Sequence, residues 1–135
     1  MNLDNFIKLY TGIPCDFDNQ YGTQCMDLAH FYAYICHGIY DKSVLAADCA
    51  KNVWLKWKPE WNKYYKKIPN VWDDVTCFPK PGDIIIWNGY YGHIAICVSA
   101  DGMSFTSFDA NYPTGSKPHL QYHDYANVIG WLRRI

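Results

Sequence analysis

The sequence has 135 residues and a formal charge of −1, with 50% hydrophobic and 18% aromatic side chains. That length suits one domain, taken as 1–135, and the apolar share is enough to close a core unaided. The near-neutral charge argues against nucleic acid as a partner, because no basic stripe accompanies the aromatics, and no apolar run approaches the roughly 20 residues of a membrane span.

The chain opens with MNLDNFIKLY, acidic and amphipathic rather than basic and apolar. It does not read as a signal peptide, so synthesis in a cytoplasm is expected. From about 3 to 11, Leu3, Phe6, Ile7 and Tyr10 recur at helical spacing, with Gly12 as a stop and Pro14 beyond it. A polar loop runs from 16 to 24. A second helix starts near Gln24, places Leu28, Phe31, Tyr32 and Ile35 on one face and ends by Gly38. A third helical stretch is expected over about 43–57. It leads into KWKPEWNKYYKK, broken by Pro59 and read as a solvated helix face or, alternatively, as a surface that touches glycan.

The second half reads as strands. KPGD is a turn, and IIIW after it is a buried strand. In GHIAICVS, Ile94, Ile96 and Val98 face one way while His93, Ala95 and Cys97 face the other. ADG at 100–102 signals a hairpin into MSFTSFD; a loop, ANYPTGSKP, leads to a strand near 119–122, and ANVIGWLRRI supplies the last strand. Helices first and antiparallel strands later give an α+β domain.

Six cysteines stand at 15, 25, 36, 49, 77 and 97, none in CxxC spacing, which argues against a zinc site or a thioredoxin-like motif. A disulfide framework needs an oxidising compartment, and most of the six are expected as small buried hydrophobes. Cys25 differs in its setting. It sits where a polar loop becomes a helix, and the unpaired N–H groups of a helix start favour a thiolate. His93 opens a strand after Tyr91-Gly92, so its ring can reach the edge of the sheet. A helix-start cysteine facing a strand-borne histidine is the arrangement of papain-like thiol hydrolases. In SFDANYP, Asp109 and Asn111 are two residues apart at a strand end, and either can hold the second ring nitrogen of His93.

The loop before the cysteine carries a separate signal. DFDNQYGTQCMD puts Asp16, Asp18, Gln20, Gly22 (through its carbonyl) and Asp27 at positions 1, 3, 5, 7 and 12 of a twelve-residue window, the ligand spacing of an EF-hand. Tyr21 stands where that loop requires glycine, and Asp27 replaces its bidentate glutamate. The loop therefore reads as a calcium loop of another kind, with Asp27 in the first turn of the cysteine's helix.

YGTQCMDL, PKPGDIIIW, YGHIAICV and FDANYP together make the chain resemble the CHAP domain (cysteine, histidine-dependent amidohydrolase/peptidase), especially that of phage endolysins. The resemblance runs from NFIKLYTG to GWLRRI. It implies a papain-like α+β fold, N-terminal helices packed on a C-terminal antiparallel sheet, with Cys25 as nucleophile and His93 as base. Asp109 and Asn111 fall on the family's acidic-or-amide and asparagine positions; many relatives have glutamate at the first. It further implies calcium held by Asp16, Asp18, Gln20, Gly22 and Asp27. The substrate implied is peptidoglycan, cut at the glycan–peptide amide (N-acetylmuramoyl-L-alanine amidase) or within stem peptide or cross-bridge (endopeptidase). Release to the wall after holin action agrees with the N-terminus. The expected oxyanion site is the Cys25 N–H together with Gln24, and a monomer is expected, either a minimal lysin or a module of something longer. The rivals are a non-catalytic calcium- or wall-binding module of the same fold and another papain-like cysteine peptidase.

Overall fold

Three α-helices, one 3₁₀ turn and six strands occupy residues 1–17 and 24–135, the part of the chain that the computed structural model describes. Helix α1 (Leu3–Tyr10) begins at Asn2, whose side chain accepts from the Asn5 N–H at 2.9 Å. Its apolar face buries Phe6, edge-on to Tyr32 of α2 and Phe108 of the sheet, with centroids 5.3 and 6.0 Å away. Truncating such a ring to alanine costs about 3–5 kcal/mol. Helix α2 (Cys25–His37) ends at Gly38, whose φ of 66° supplies the left-handed cap.

The third helix is shorter than the sequence suggests. Leu45 is buried with φ 63°, which interrupts any right-handed run, and α3 spans only Ala50–Leu55. The basic-aromatic segment is not a solvated helix face. It forms a 3₁₀ turn (Pro59–Lys63) and then strand β1 (Tyr65–Pro69), with Trp61 and Tyr65 fully buried. Its cations lie along rings: Lys67 Nζ is 4.4 Å from the Trp54 centroid and donates to the Trp54 carbonyl. The strand forms because its partner, residues 130–134, comes from the far end of the chain.

The remaining strands are β2 (Ile84–Trp87), β3 (His93–Ala100), β4 (Phe105–Asp109), β5 (His119–His123) and β6 (Val128–Arg134). They form one antiparallel sheet in the order β1-β6-β2-β3-β4-β5. β2 is central and covered on both faces, so an unbroken isoleucine run suits it. Ile84 and Ile86 join the core beneath the helices; Ile85 packs with Cys97, Phe105 and Trp131 on the other face. β3 alternates as its sequence predicts, Ile94 and Ile96 towards α2 and Cys97 away. Asp83, buried at the turn before β2, accepts from the Lys80 N–H and from both Nε and Nη2 of Arg133 on β6, at 3.1 and 2.7 Å. Among the described residues no helix is long and apolar enough to cross a membrane.

Candidate active site

α2 packs on β3, which brings the start of the helix to the start of the strand. Cys25 is the first residue of α2, where backbone N–H groups lack helical acceptors and carry partial positive charge. His93 is the first residue of β3. Both line an open cleft of ≈ 1450 Å³.

The His93 side chain is 11% exposed, and its Nε2 lies 2.8 Å from Asp109 Oδ2. The carboxylate can only accept, so Nε2 carries the proton. The other ring nitrogen is left for Cys25, which lines the same cleft and is near enough to act on the imidazole. Burial opposes charge on this imidazole. The bond to Asp109, the interaction with Cys25 and the negative charge of both outweigh it and raise the histidine to about 9. Asp109 ends β4 with no solvent exposure. Burial pushes its carboxyl up, but hydrogen bonds from His123, His93 and Ser107 hold it below the ordinary carboxylate range. Trp87 and Tyr112 both pack on His93, with centroids 4.9 and 5.0 Å away.

Gly92 sets the approach. Its φ is 73°, and a Cβ there would lie 2.5 Å from the Lys51 nitrogen and 2.7 Å from the Trp87 carbonyl oxygen. Bare backbone lets the loop before His93 close on α3, where the Lys51 N–H donates to the Tyr91 carbonyl at 3.2 Å.

This cysteine–histidine–carboxylate line lies within a family match: the CHAP domain matches residues 15–111, well over half of the sequence. The chain belongs to the CHAP domain family. As a CHAP domain it is 33% identical to endolysin PlyTW of Staphylococcus phage Twort, over an alignment of 148 residues covering 96% of the chain and 29% of PlyTW. Its fold is similar to the crystal structure of a wild type endolysin LysIME-EF1, with TM-score 0.71 and 26% identity over 98% of this chain and 64% of that one. The chain thus spans less than two thirds of either relative.

Of the two candidates for orienting His93, Asp109 makes the bond. Asn111 lines the cleft but has φ 60°, and its Oδ1 accepts from the Gly115 N–H at 2.6 Å, closing the turn after β4. Gln24 lines the cleft next to Cys25. Its backbone N–H donates to Asp27 Oδ2 at 2.8 Å, so a second oxyanion donor there has to come from its side chain. Asp27 is buried in the first turn of α2, and its Oδ1 accepts from the Phe17 N–H at 3.1 Å. Asp16 and Asp27 both act on the Cys15 thiol, which burial first and their charges second push up to about 12. Asp18, Gln20 and Gly22 lie outside the described residues.

The other histidines sort by partner. His30 Nε2 lies 3.1 Å from the Leu45 carbonyl, and His37 Nδ1 lies 2.7 Å from the Tyr65 hydroxyl. His119 sits between the Lys117 carbonyl and Gln121. His123 belongs to the site, its Nε2 3.1 Å from Asp109 Oδ2. Sequence reasoning left out both His123 and Ser107, whose hydroxyl donates to Asp109 Oδ1. Strand alternation held the only signal, since Ser107 and Asp109 share a face two residues apart. All six cysteines are free thiols.

Proposed function

We propose that this CHAP domain is a cysteine-dependent hydrolase of bacterial peptidoglycan. One observation carries the reading: Cys25 at a helix start shares an open cleft with His93, which a buried carboxylate holds by one ring nitrogen. The endolysin relatives supply the substrate class. The Cys25 sulfur attacks an amide carbonyl of the wall peptide and forms a C–S bond. The Cys25 N–H and the Gln24 side chain face the developing oxyanion. His93 gives a proton to the departing amine as the C–N bond breaks. It then takes one from water, whose hydroxyl displaces sulfur and frees the acid. Asp109 stabilises the imidazolium throughout, and Asn111 shapes the adjacent wall of the cleft.

The loop before Cys25 is proposed to hold calcium. Asp27 accepts from the Phe17 and Gln24 N–H groups, one on each carboxylate oxygen, and so sits where the two ends of that loop meet. Asp16, Asp18 and Asp27, with Gln20 and the Gly22 carbonyl, form the all-oxygen donor set that a hard cation takes. Bound calcium would supply charge that fixes the start of α2.

Replacing Cys25 by alanine tests the reading. The variant should melt like the wild type and lose all clearing of purified walls; clearing at near wild-type rate would overturn it. Wall binding without clearing by the unaltered protein would favour the non-catalytic module. Mass spectrometry of digests identifies the bond: new N-terminal amines within peptides mark an endopeptidase, and free stem peptides with bare glycan mark an amidase.

A further inference from the structure

Asp109 Oδ2 accepts from two imidazoles, and the proposed reaction uses only one. His123 closes β5, its Nε2 3.1 Å from that oxygen, and its side chain is 11% exposed, the same as His93. Four groups face the ring. Asp109 and Phe105 approach from β4, Phe105 stacked at 5.3 Å; Trp87 approaches from β2 at 4.9 Å and Tyr112 from the following loop at 6.0 Å. Such an aromatic slot would accept phenylalanine with less desolvation than histidine. The imidazole instead aims a donor at a carboxylate that no water reaches.

A carboxylate with one donor on each oxygen still has freedom to tilt about its Cβ–Cγ bond. Two imidazole N–H groups on Oδ2, with the Ser107 hydroxyl on Oδ1, remove that freedom. We infer that His123 is a positioning residue: through Asp109 it fixes the carboxylate plane, and so the direction in which His93 presents its second ring nitrogen to Cys25. The inference rests on the cysteine-hydrolase reading, and it adds His123 and Ser107 to the line of Cys25, His93 and Asp109.

The test reads the nucleophile without any wall substrate. Iodoacetamide alkylation of Cys25 at pH 6 is followed on the Cys25 peptide by mass spectrometry, for the wild type, His123→Phe and His123→Gln. The glutamine amide overlays Nε2 and keeps a donor to Asp109; phenylalanine keeps the packing and loses the donor. His123→Phe should slow alkylation about tenfold, with His123→Gln within about threefold of the wild type. Melting curves accompany both. Should His123→Phe melt far lower, His123→Met serves as the donor-free comparison. The inference fails if the donor-free variant reacts within about twofold of the wild type, or if His123→Gln falls as far as it does. A wild-type Cys25 that reacts at pH 6 no faster than an ordinary thiol overturns the hydrolase reading itself, and the role of His123 with it.

Discussion

Replacing Asp109 by asparagine removes one charge and very little volume. The amide oxygen can still accept from the two imidazoles, and its NH₂ can donate to Ser107, whose hydroxyl turns to accept. Fold stability should therefore change by no more than about 1–2 kcal/mol. The effect on His93 is larger. That histidine lies near 9 rather than the usual 6.5, a preference for the imidazolium on the order of 3 kcal/mol to which both Asp109 and Cys25 contribute against burial. Without the carboxylate charge, the alkaline limb of activity, where the imidazolium loses its proton, should move down by about one pH unit or more. At neutral pH the rate should fall by roughly 10²–10⁴, the range for an acid–base pair that has lost its orienting anion. The assay is the initial rate of wall clearing between pH 5 and 10. An alkaline limb within 0.3 unit of wild type (about 0.4 kcal/mol), together with a neutral rate within about threefold, would refute the role given to Asp109.

Four further outcomes follow from the same geometry. Gly92→Ala should lower stability by about 2 kcal/mol or more, from left-handed strain plus the clash with Lys51 and Trp87 backbone, and slow Cys25 alkylation; an unchanged melting temperature would contradict the close approach. Asp83→Ala should cost about 3 kcal/mol in urea unfolding by stranding Arg133 and the Lys80 N–H, and a loss under 1 kcal/mol would count against the β2–β6 tie. Burial first, and Arg134 second, lower His37 to about 4, so the folded state binds fewer protons than the unfolded one. Its stabilising effect is whole above about 6.5 and fades as pH falls towards 4, by on the order of 2 kcal/mol after allowing for partial solvent contact; His37→Asn should flatten that acid slope, and an unchanged slope would reject it. Calcium at about a hundredfold its dissociation constant should add about 2.7 kcal/mol, seen as a higher melting temperature that EGTA removes and Asp18→Asn lacks; a chelator-insensitive melt would sink the metal loop.

Local pattern carried most of the fold. Helix α1, helix α2 with its Gly38 cap, β2 and the alternation in β3 were legible because each is written in consecutive residues at one period. β1 was not: Lys-, Trp- and Tyr-rich sequence suits a helix face equally well, and only pairing with residues 130–134 decides it. The same limit governs the site. Cys25 and His93 announce themselves by position at the start of an element. The choice between Asp109 and Asn111 depends on which side chain a turn consumes, and Asn111 is drawn into the Gly115 turn. His123 was hidden because its link to Asp109 crosses from one strand to the next, fourteen residues along the chain.

Asp27 fastens the stretch ahead of the nucleophile at its neck, one carboxylate oxygen on the Phe17 N–H and the other on the Gln24 N–H. A segment tied in this way is an exchangeable cassette. Substitutions within 18–23 leave both bonds to Asp27 untouched, so the helix start keeps its tie. Loops grafted from other members of the family would then meet the same tie, with Cys25 still beside His93 in the cleft.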